Sequence, residues 1–228
     1  MGSDDAPARV PPGEQPPPWV ARSGILKLGG FRHFPGCLDK AEQRALVEEV
    51  MASAQIAPFY RPVTPWGKPM SVEMTNLGPL GWVSSPQGYR YQPTHPLTGE
   101  PWPPIPQRVL ALWRRVTDER AMPDACLVNL YRTGARMGLH QDRDEADFSV
   151  PVLSISLGDA AVFLIGGRSR KDATRSMTLV SGDVCVLAGE DRLAFHGIAR
   201  TRFGDSDLVA GGGRLNLTLR RASPRGPD

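Results

Sequence analysis

His140 and Asp142 stand two residues apart in the segment Leu139-His140-Gln141-Asp142, directly after Gly138, and His196 follows far downstream in Ala194-Phe195-His196-Gly197. Side chains at i and i+2 project to the same side of an extended chain. The first pair can therefore offer an imidazole nitrogen and a carboxylate oxygen together. With the second imidazole they would form the two-histidine, one-carboxylate facial set of non-haem Fe(II) oxygenases, which leaves positions open for a cosubstrate and O₂. No thiolate joins the set, which argues against structural zinc or an iron–sulfur cluster. Alone, His-x-Asp is a common dipeptide spacing, and its bland reading is a solvated turn.

A second pattern closes the chain. Arg214, Asn216, Thr218 and Arg220 alternate with Leu215, Leu217 and Leu219. As a strand this puts four polar groups on one face and three leucines on the other. Two guanidinium groups on one strand face suit a dicarboxylate, because each fixes a carboxylate through paired, charge-assisted hydrogen bonds.

These groups need a scaffold to bring them together. Short apolar or β-branched segments at residues 125–131, 152–157, 160–165, 177–180, 184–187, 193–195 and 214–219 are separated by Gly, Asp and Ser turns and read as strands. Helices are expected only earlier. One spans residues 38–54, with Asp39 as N-cap and Glu42 completing a capping box; another spans residues 106–118, with Val109, Leu112, Trp113 and Val116 inward. The expected class is α+β, a double-sheet jelly roll (double-stranded β-helix) backed by N-terminal helices. At one mouth of it His140, Asp142 and His196 could meet, and Asn129 and Tyr131 would add inward polar side chains.

Residues 58–106 are rich in Pro, Gly and aromatic residues, among them Trp66, Trp82, Tyr89, Tyr91 and Trp102. A lid whose rings stack on a flat substrate is the functional reading; for Tyr91 and Trp102 a structural role in a small local core is preferred. The 228 residues fit one domain with tails, at net charge +3 and pI near 8.9, compatible with a polyanionic partner without requiring one. Residues 1–22 form a proline-rich tail, 23–220 the single domain with a lid at about 58–106 and a jelly-roll core at about 125–220, and 221–228 a second frayed end. No long apolar run or signal segment is present, so a soluble, cytoplasmic protein without membrane contact is expected. Cys37, Cys126 and Cys185 form no CxxC pair and read as reduced, buried thiols.

Several of these motifs together resemble the AlkB family of Fe(II)- and 2-oxoglutarate-dependent nucleic-acid demethylases. They are Asn129-x-Tyr131, His140-x-Asp142-x-Asp144-Glu145, Ser154-Ile155-Ser156-Leu157-Gly158, Gly182-Asp183, His196-Gly197-Ile198 and the Arg214–Arg220 alternation. Upstream, Arg61-Pro62-Val63-Thr64-Pro65, Met74-Thr75-Asn76, Leu80-Gly81-Trp82, Gln87-Gly88-Tyr89 and Pro101-Trp102-Pro103 extend the likeness over residues 24–220. The resemblance implies iron on His140, Asp142 and His196. It implies 2-oxoglutarate on Arg214 (metal-side carboxylate) and Arg220 (distal carboxylate), with Asn129, Tyr131, Ser154 and Asn216 completing that pocket. A flipped base would lie between Trp82 and His140 near Met74 and Thr64, with Asp144 at its edge, Tyr89 and Thr64 on the backbone, and Arg170 on base or phosphate. For Glu145 a solvated acidic turn is the expectation. The implied reaction is oxidative demethylation of 1-methyladenine and 3-methylcytosine in single- or double-stranded DNA, with RNA as a further substrate, by a monomer that yields formaldehyde, succinate and CO₂. The alternatives are the same chemistry on methylated tRNA or a protein side chain, and a non-catalytic binder on the same barrel. The chain departs from the pattern it resembles at Leu187, where the family's bacterial members usually carry tryptophan, and at Gly138, where they usually carry serine.

Overall fold

The computed structural model describes residues 26–117 and 119–224; the expected proline-rich tail lies outside them. The elements in chain order are β1 (Leu26–Leu28), β2 (Phe31–Phe34), α1 (Lys40–Ile56), β3 (Glu73–Leu77), β4 (Gly81–Ser85), β5 (Gly88–Gln92) and α2 (Gln107–Thr117). Then follow β6 (Ala125–Tyr131), β7 (Met137–His140), β8 (Val152–Gly158), β9 (Ala161–Ile165), β10 (Arg175–Leu179), β11 (Val184–Leu187), β12 (His196–Thr201) and β13 (Arg214–Arg220).

Two antiparallel sheets and a hairpin result. Seven strands run in the order β1-β2-β11-β8-β13-β6-β3, four in the order β10-β9-β12-β7, and β4 pairs with β5. The two apolar clusters explain the layering. Leu215, Leu217 and Leu219 pack with Val128, Leu130, Ile155 and Val186 under Leu46, Val50, Val109, Leu112 and Trp113 of the helices. The opposite face of the large sheet contributes Phe31, Leu127, Val152 and Leu187 to a second cluster with Phe163, Ile165 and Ile198 of the small sheet. Strand alternation thus sends β13's leucines toward the helices and its polar residues into the space between the sheets.

The capping box expected for α1 is present. Glu42 N–H donates to Asp39 Oδ1 and Asp39 N–H to Glu42 Oε2, each at 2.8 Å. The thiols of Cys37, Cys126 and Cys185 are free and buried. Beyond β13, the backbone N–H groups of Ala222 and Ser223 donate to the Asp124 carboxylate at 2.6 and 3.1 Å. The chain is therefore tied down past the end expected for its folded part.

The strand expected at residues 193–195 is not formed. Residues Gly189–Leu193 make a 3₁₀ turn instead, and the strand begins at His196. The reason is Asp191, whose carboxylate accepts from the backbone of Gly30 and Phe31 at 2.7 and 3.1 Å, which fastens the turn to β2's edge. Among the described residues no helix is long and apolar enough to cross a membrane.

Candidate active site

His196 on β12 lies directly opposite His140 at the end of β7. This register places their rings 4.5 Å apart. The two strands approach closely beside them: a Cβ at Gly197 would fall 2.7 Å from Met137 O and 2.9 Å from Gly138 O, so only glycine lets the backbones meet here. Asp142 follows two residues after β7. Its Oδ1 is 3.9 Å from His140 Nε2 and its Oδ2 3.7 Å from His196 Nε2. One ligand atom from each of the three residues lies within 4.8 Å of the others.

Both rings are oriented for metal binding. Nδ1 of His140 meets Gly138 O at 2.9 Å, and Nδ1 of His196 meets Ala194 O at 3.0 Å. A carbonyl only accepts, so each proton is assigned to Nδ1 and each Nε2 presents a lone pair. Burial, with His140 adding to it and Asp142 opposing, pushes His196 down to about 4, which leaves it neutral at neutral pH. Burial works to raise the Asp142 carboxyl, but Arg220, His196 and His140 outweigh it and hold the group well below the usual carboxylate range. Asp142 is thus an anion with Oδ2 buried and free of any hydrogen bond. Two imidazoles and one carboxylate, with both Nε2 atoms and the carboxylate oxygens turned toward one another, fit a divalent Fe(II) ion.

Behind the triad, a cavity between the sheets is lined by Asn129, Tyr131, Ser154, Arg214, Asn216 and Arg220 among others. Register accounts for the grouping: Arg214 pairs with Tyr131 and Asn216 with Asn129 on one side of β13, while Thr218 pairs with Ser154 on the other. Arg214 Nη2 donates to Ser156 Oγ at 3.0 Å and its guanidinium lies 5.2 Å from the Tyr131 ring centre. Asn216 Nδ2 donates to Ser154 Oγ at 2.7 Å. The polar inventory is left incomplete. Asn129 Oδ1, Arg214 Nε and Nη1 and Asp142 Oδ2 are buried without a hydrogen bond; elsewhere among the described residues only Tyr60 Oη, Arg221 Nε and Arg220 Nε, which is ion-paired with Glu145, share that state. Each unpaired buried group costs about 1–3 kcal/mol, so their concentration in one cavity marks a ligand's polar contacts. Unpaired Arg214 donors at the far end suit an anionic group and the Asp142 carboxylate at the near end suits a cation, so the cavity fits a small anion beside a metal ion.

A wider cleft opens on the other side of the triad. It shares Leu127, Met137, His140, Asp142 and Arg220 with the buried cavity and adds Met70, Met74, Trp82, Tyr89, Asp144 and Arg170. The hairpin β4–β5 forms one wall. Asn76 fixes it by bracketing Trp82, with Nδ2 donating to Trp82 O and Oδ1 accepting from Trp82 N–H, both at 3.0 Å. The Trp82 ring stacks on Tyr89 at 5.3 Å, and its Nε1 donates to Asp144 Oδ2 at 2.8 Å. Arg170 rests 5.1 Å from the Phe195 ring centre at the cleft's edge.

Three sequence expectations meet the structure differently. Thr64 is not among the cleft-lining residues; it closes the turn at residues 64–68, where its hydroxyl accepts from Lys68 N–H at 3.1 Å. Glu145 is not a solvated turn residue: it is 6% exposed and paired with Arg192 and Arg220. Arg192, Phe163 and Met137, which sequence reasoning did not single out, also surround the site. Only the Asp-Arg pair after Gly189 could have hinted at Arg192. The structural reading of Trp102 fits its place, buried with Nε1 donating to Gln92 O at 2.8 Å.

Comparison with known proteins decides the family. Residues 30–220 match the 2OG-Fe(II) oxygenase superfamily. An "Alpha-ketoglutarate-dependent dioxygenase AlkB homolog" of Caulobacter vibrioides is 64% identical over 198 residues, covering 87% of this chain and 90% of that protein. "Alpha-ketoglutarate-dependent dioxygenase AlkB" of Escherichia coli K12 is 43% identical over 212 residues, covering 91% and 94%. The chain belongs to the AlkB family.

As an AlkB-family enzyme it is an Fe(II)- and 2-oxoglutarate-dependent dioxygenase, and His140, Asp142 and His196 are its iron triad. The solved structure of OsALKBH1 superposes with TM-score 0.76 at 29% identity, covering 86% of this chain and 99% of that one. A Pseudomonas putida prolyl-4-hydroxylase shares the fold alone, with TM-score 0.51 at 17% identity over 86% and 94% of the two chains. Of the two departures from bacterial AlkB relatives, Leu187 lines the buried cavity, while Gly138 has open space where a Cβ would stand.

Proposed function

We propose that this AlkB-family enzyme removes N-methyl groups from 1-methyladenine and 3-methylcytosine in DNA, and in RNA, as a single jelly-roll domain with the β4–β5 hairpin as its recognition lid. One observation carries the reading. The aromatic cleft of Trp82 and Tyr89, with the Asp144 carboxylate at its rim, opens onto the same His140 and Asp142 that close the buried cavity. A flat ring entering the cleft can stack on Trp82 and bring a substituent to the metal. The methylated bases are cations, and Asp144 favours a cation over a neutral base. The target nitrogens lie on the Watson–Crick edge, so the base must leave the stack to enter. Arg170 is suited to the flanking phosphate.

Bound iron, 2-oxoglutarate and O₂ supply the oxidising power that hydroxylates the N-methyl carbon, after which formaldehyde, succinate and CO₂ leave. The protein's own part is placement. Arg220 takes the metal-side carboxylate and Arg214 the distal one, the reverse of the order the family resemblance suggested. Support comes from Arg220 Nη2 lying 2.7 Å from Asp142 Oδ1, whereas Arg214 starts β13, six residues or roughly 20 Å along the strand. Asn129, Tyr131 and Asn216 line the way between them, and Ser154 holds Asn216.

The test is mass spectrometry of short oligonucleotides carrying one 1-methyladenine or 3-methylcytosine, incubated with protein, Fe(II), 2-oxoglutarate, ascorbate and air. A control lacks 2-oxoglutarate. Loss of the methyl group only in the complete mixture is expected. Succinate formation with the methyl group untouched would reject the lesion and favour methylated tRNA or a protein side chain; neither product would reject the proposed function.

A further inference from the structure

Glu145 holds three partners at once. Its Oε1 accepts from the Tyr91 hydroxyl at 2.7 Å and lies 3.3 Å from Arg220 Nε, while its Oε2 accepts from Arg192 Nη2 at 3.1 Å. Arg192 then donates from Nη1 to the Asp142 carbonyl at 2.7 Å and from Nε to the Val150 carbonyl at 2.8 Å. Arg220 donates to the Asp142 carboxylate at 2.7 Å. One iron ligand is therefore gripped at its main chain and at its side chain by two arginines, and both arginines are set by one carboxylate. Glu145, Arg192, Arg220 and Asp142 are all buried, where such charge-assisted bonds are strong and rigid.

Tyr91 comes from elsewhere. It sits on β5 directly opposite Trp82 on β4. Its hydroxyl is the point at which the hairpin touches this network, since Trp82 itself bonds to Asp144 at the exposed rim. Burial pushes the phenol above its ordinary range, with Arg220 opposing and Glu145 reinforcing, so Tyr91 stays a donor.

We propose that Tyr91 and Glu145 are positioning residues that couple the hairpin to the carboxylate anchor of the iron site. An Arg220 held in place by cosubstrate fixes Glu145, which fixes the Tyr91 hydroxyl and with it the strand opposite Trp82. Thus 2-oxoglutarate binding orders the wall on which the base stacks, and a docked base steadies Arg220 and Asp142. The inference rests on the reading above that Arg220 meets the cosubstrate and that Trp82 meets the base.

The test is amide hydrogen exchange of the full chain loaded with Mn(II), a redox-quiet stand-in for iron, with and without 2-oxoglutarate. In the wild type 2-oxoglutarate should slow exchange across Gly81–Gln92 by about ten-fold, the scale of one hydrogen bond to a charged group. Tyr91→Phe should abolish that response while 2-oxoglutarate still binds within about two-fold of wild type by calorimetry. Glu145→Gln keeps an acceptor for Tyr91 but loses the charge on Arg220, and should weaken both the response and cosubstrate binding. An unchanged response in Tyr91→Phe, or no response in the wild type, overturns the coupling. A Tyr91→Phe protein that melts earlier yet responds normally gives Tyr91 a packing role only, and overturns it too. Demethylation is read in a separate assay, so failure of the proposed substrate and failure of this link are distinguishable.

Discussion

Arg220 Nη2 donates to Asp142 Oδ1 at 2.7 Å, which joins the last residue of β13 to the carboxylate of the iron triad. Burial works to lower the Arg220 guanidinium, but Asp142, Tyr91 and Glu145 outweigh it and raise the group, so the cation is firmly retained. Its removal leaves two carboxylates buried without their shared cation. Arg220→Met should destabilise the metal-free protein by about 3–5 kcal/mol, measured by urea unfolding. A loss under 1 kcal/mol would mean that water reaches these carboxylates.

His196→Ala removes a neutral, buried imidazole whose Nε2 faces Asp142. Anaerobic Fe(II) titration should show loss of stoichiometric binding, and succinate formation should fall at least about 100-fold, the upper range seen when metal-site partners are removed. Retained tight binding would place the metal elsewhere.

Trp82 offers a ring face to the cleft. Trp82→Ala should raise KM for a methylated oligonucleotide about 10- to 100-fold, the worth of one base–aromatic stack, with 2-oxoglutarate affinity unchanged. Full activity in this variant would remove the sandwich from the mechanism.

Asp144 combines two tasks, accepting from Trp82 Nε1 and presenting charge at the rim. Asn at this position keeps an acceptor and removes the charge. Asp144→Asn should lower kcat/KM for cationic 1-methyladenine by about five-fold, the scale of one water-exposed charge pair, and leave turnover of a neutral methylated base within two-fold. Equal losses on both bases would assign Asp144 to Trp82 alone.

Asp39 lies far from the chemistry in the α1 capping box. Asp39→Ala should cost about 1 kcal/mol in thermal or urea unfolding, with kcat unchanged at temperatures below the transition.

Local pattern carried a large share of this molecule. The i, i+2 spacing of His140 and Asp142, the Arg214–Arg220 alternation and the Asp39–Glu42 capping box each depend on neighbours in the chain, so period and residue type were enough to read them. The sequence also offered His196 as the second imidazole, in a segment, His196-Gly197-Ile198, that the family resemblance includes. Tertiary structure alone decided the rest. It set the register that faces His196 to His140 and brought Arg220, rather than Arg214, into contact with Asp142. It also buried Glu145 between Arg192 and Arg220, although its sequence neighbours Asp144 and Ala146 are exposed. The burial of a charge depends on partners such as Arg192, 47 positions away, and Arg220, which no local period can announce.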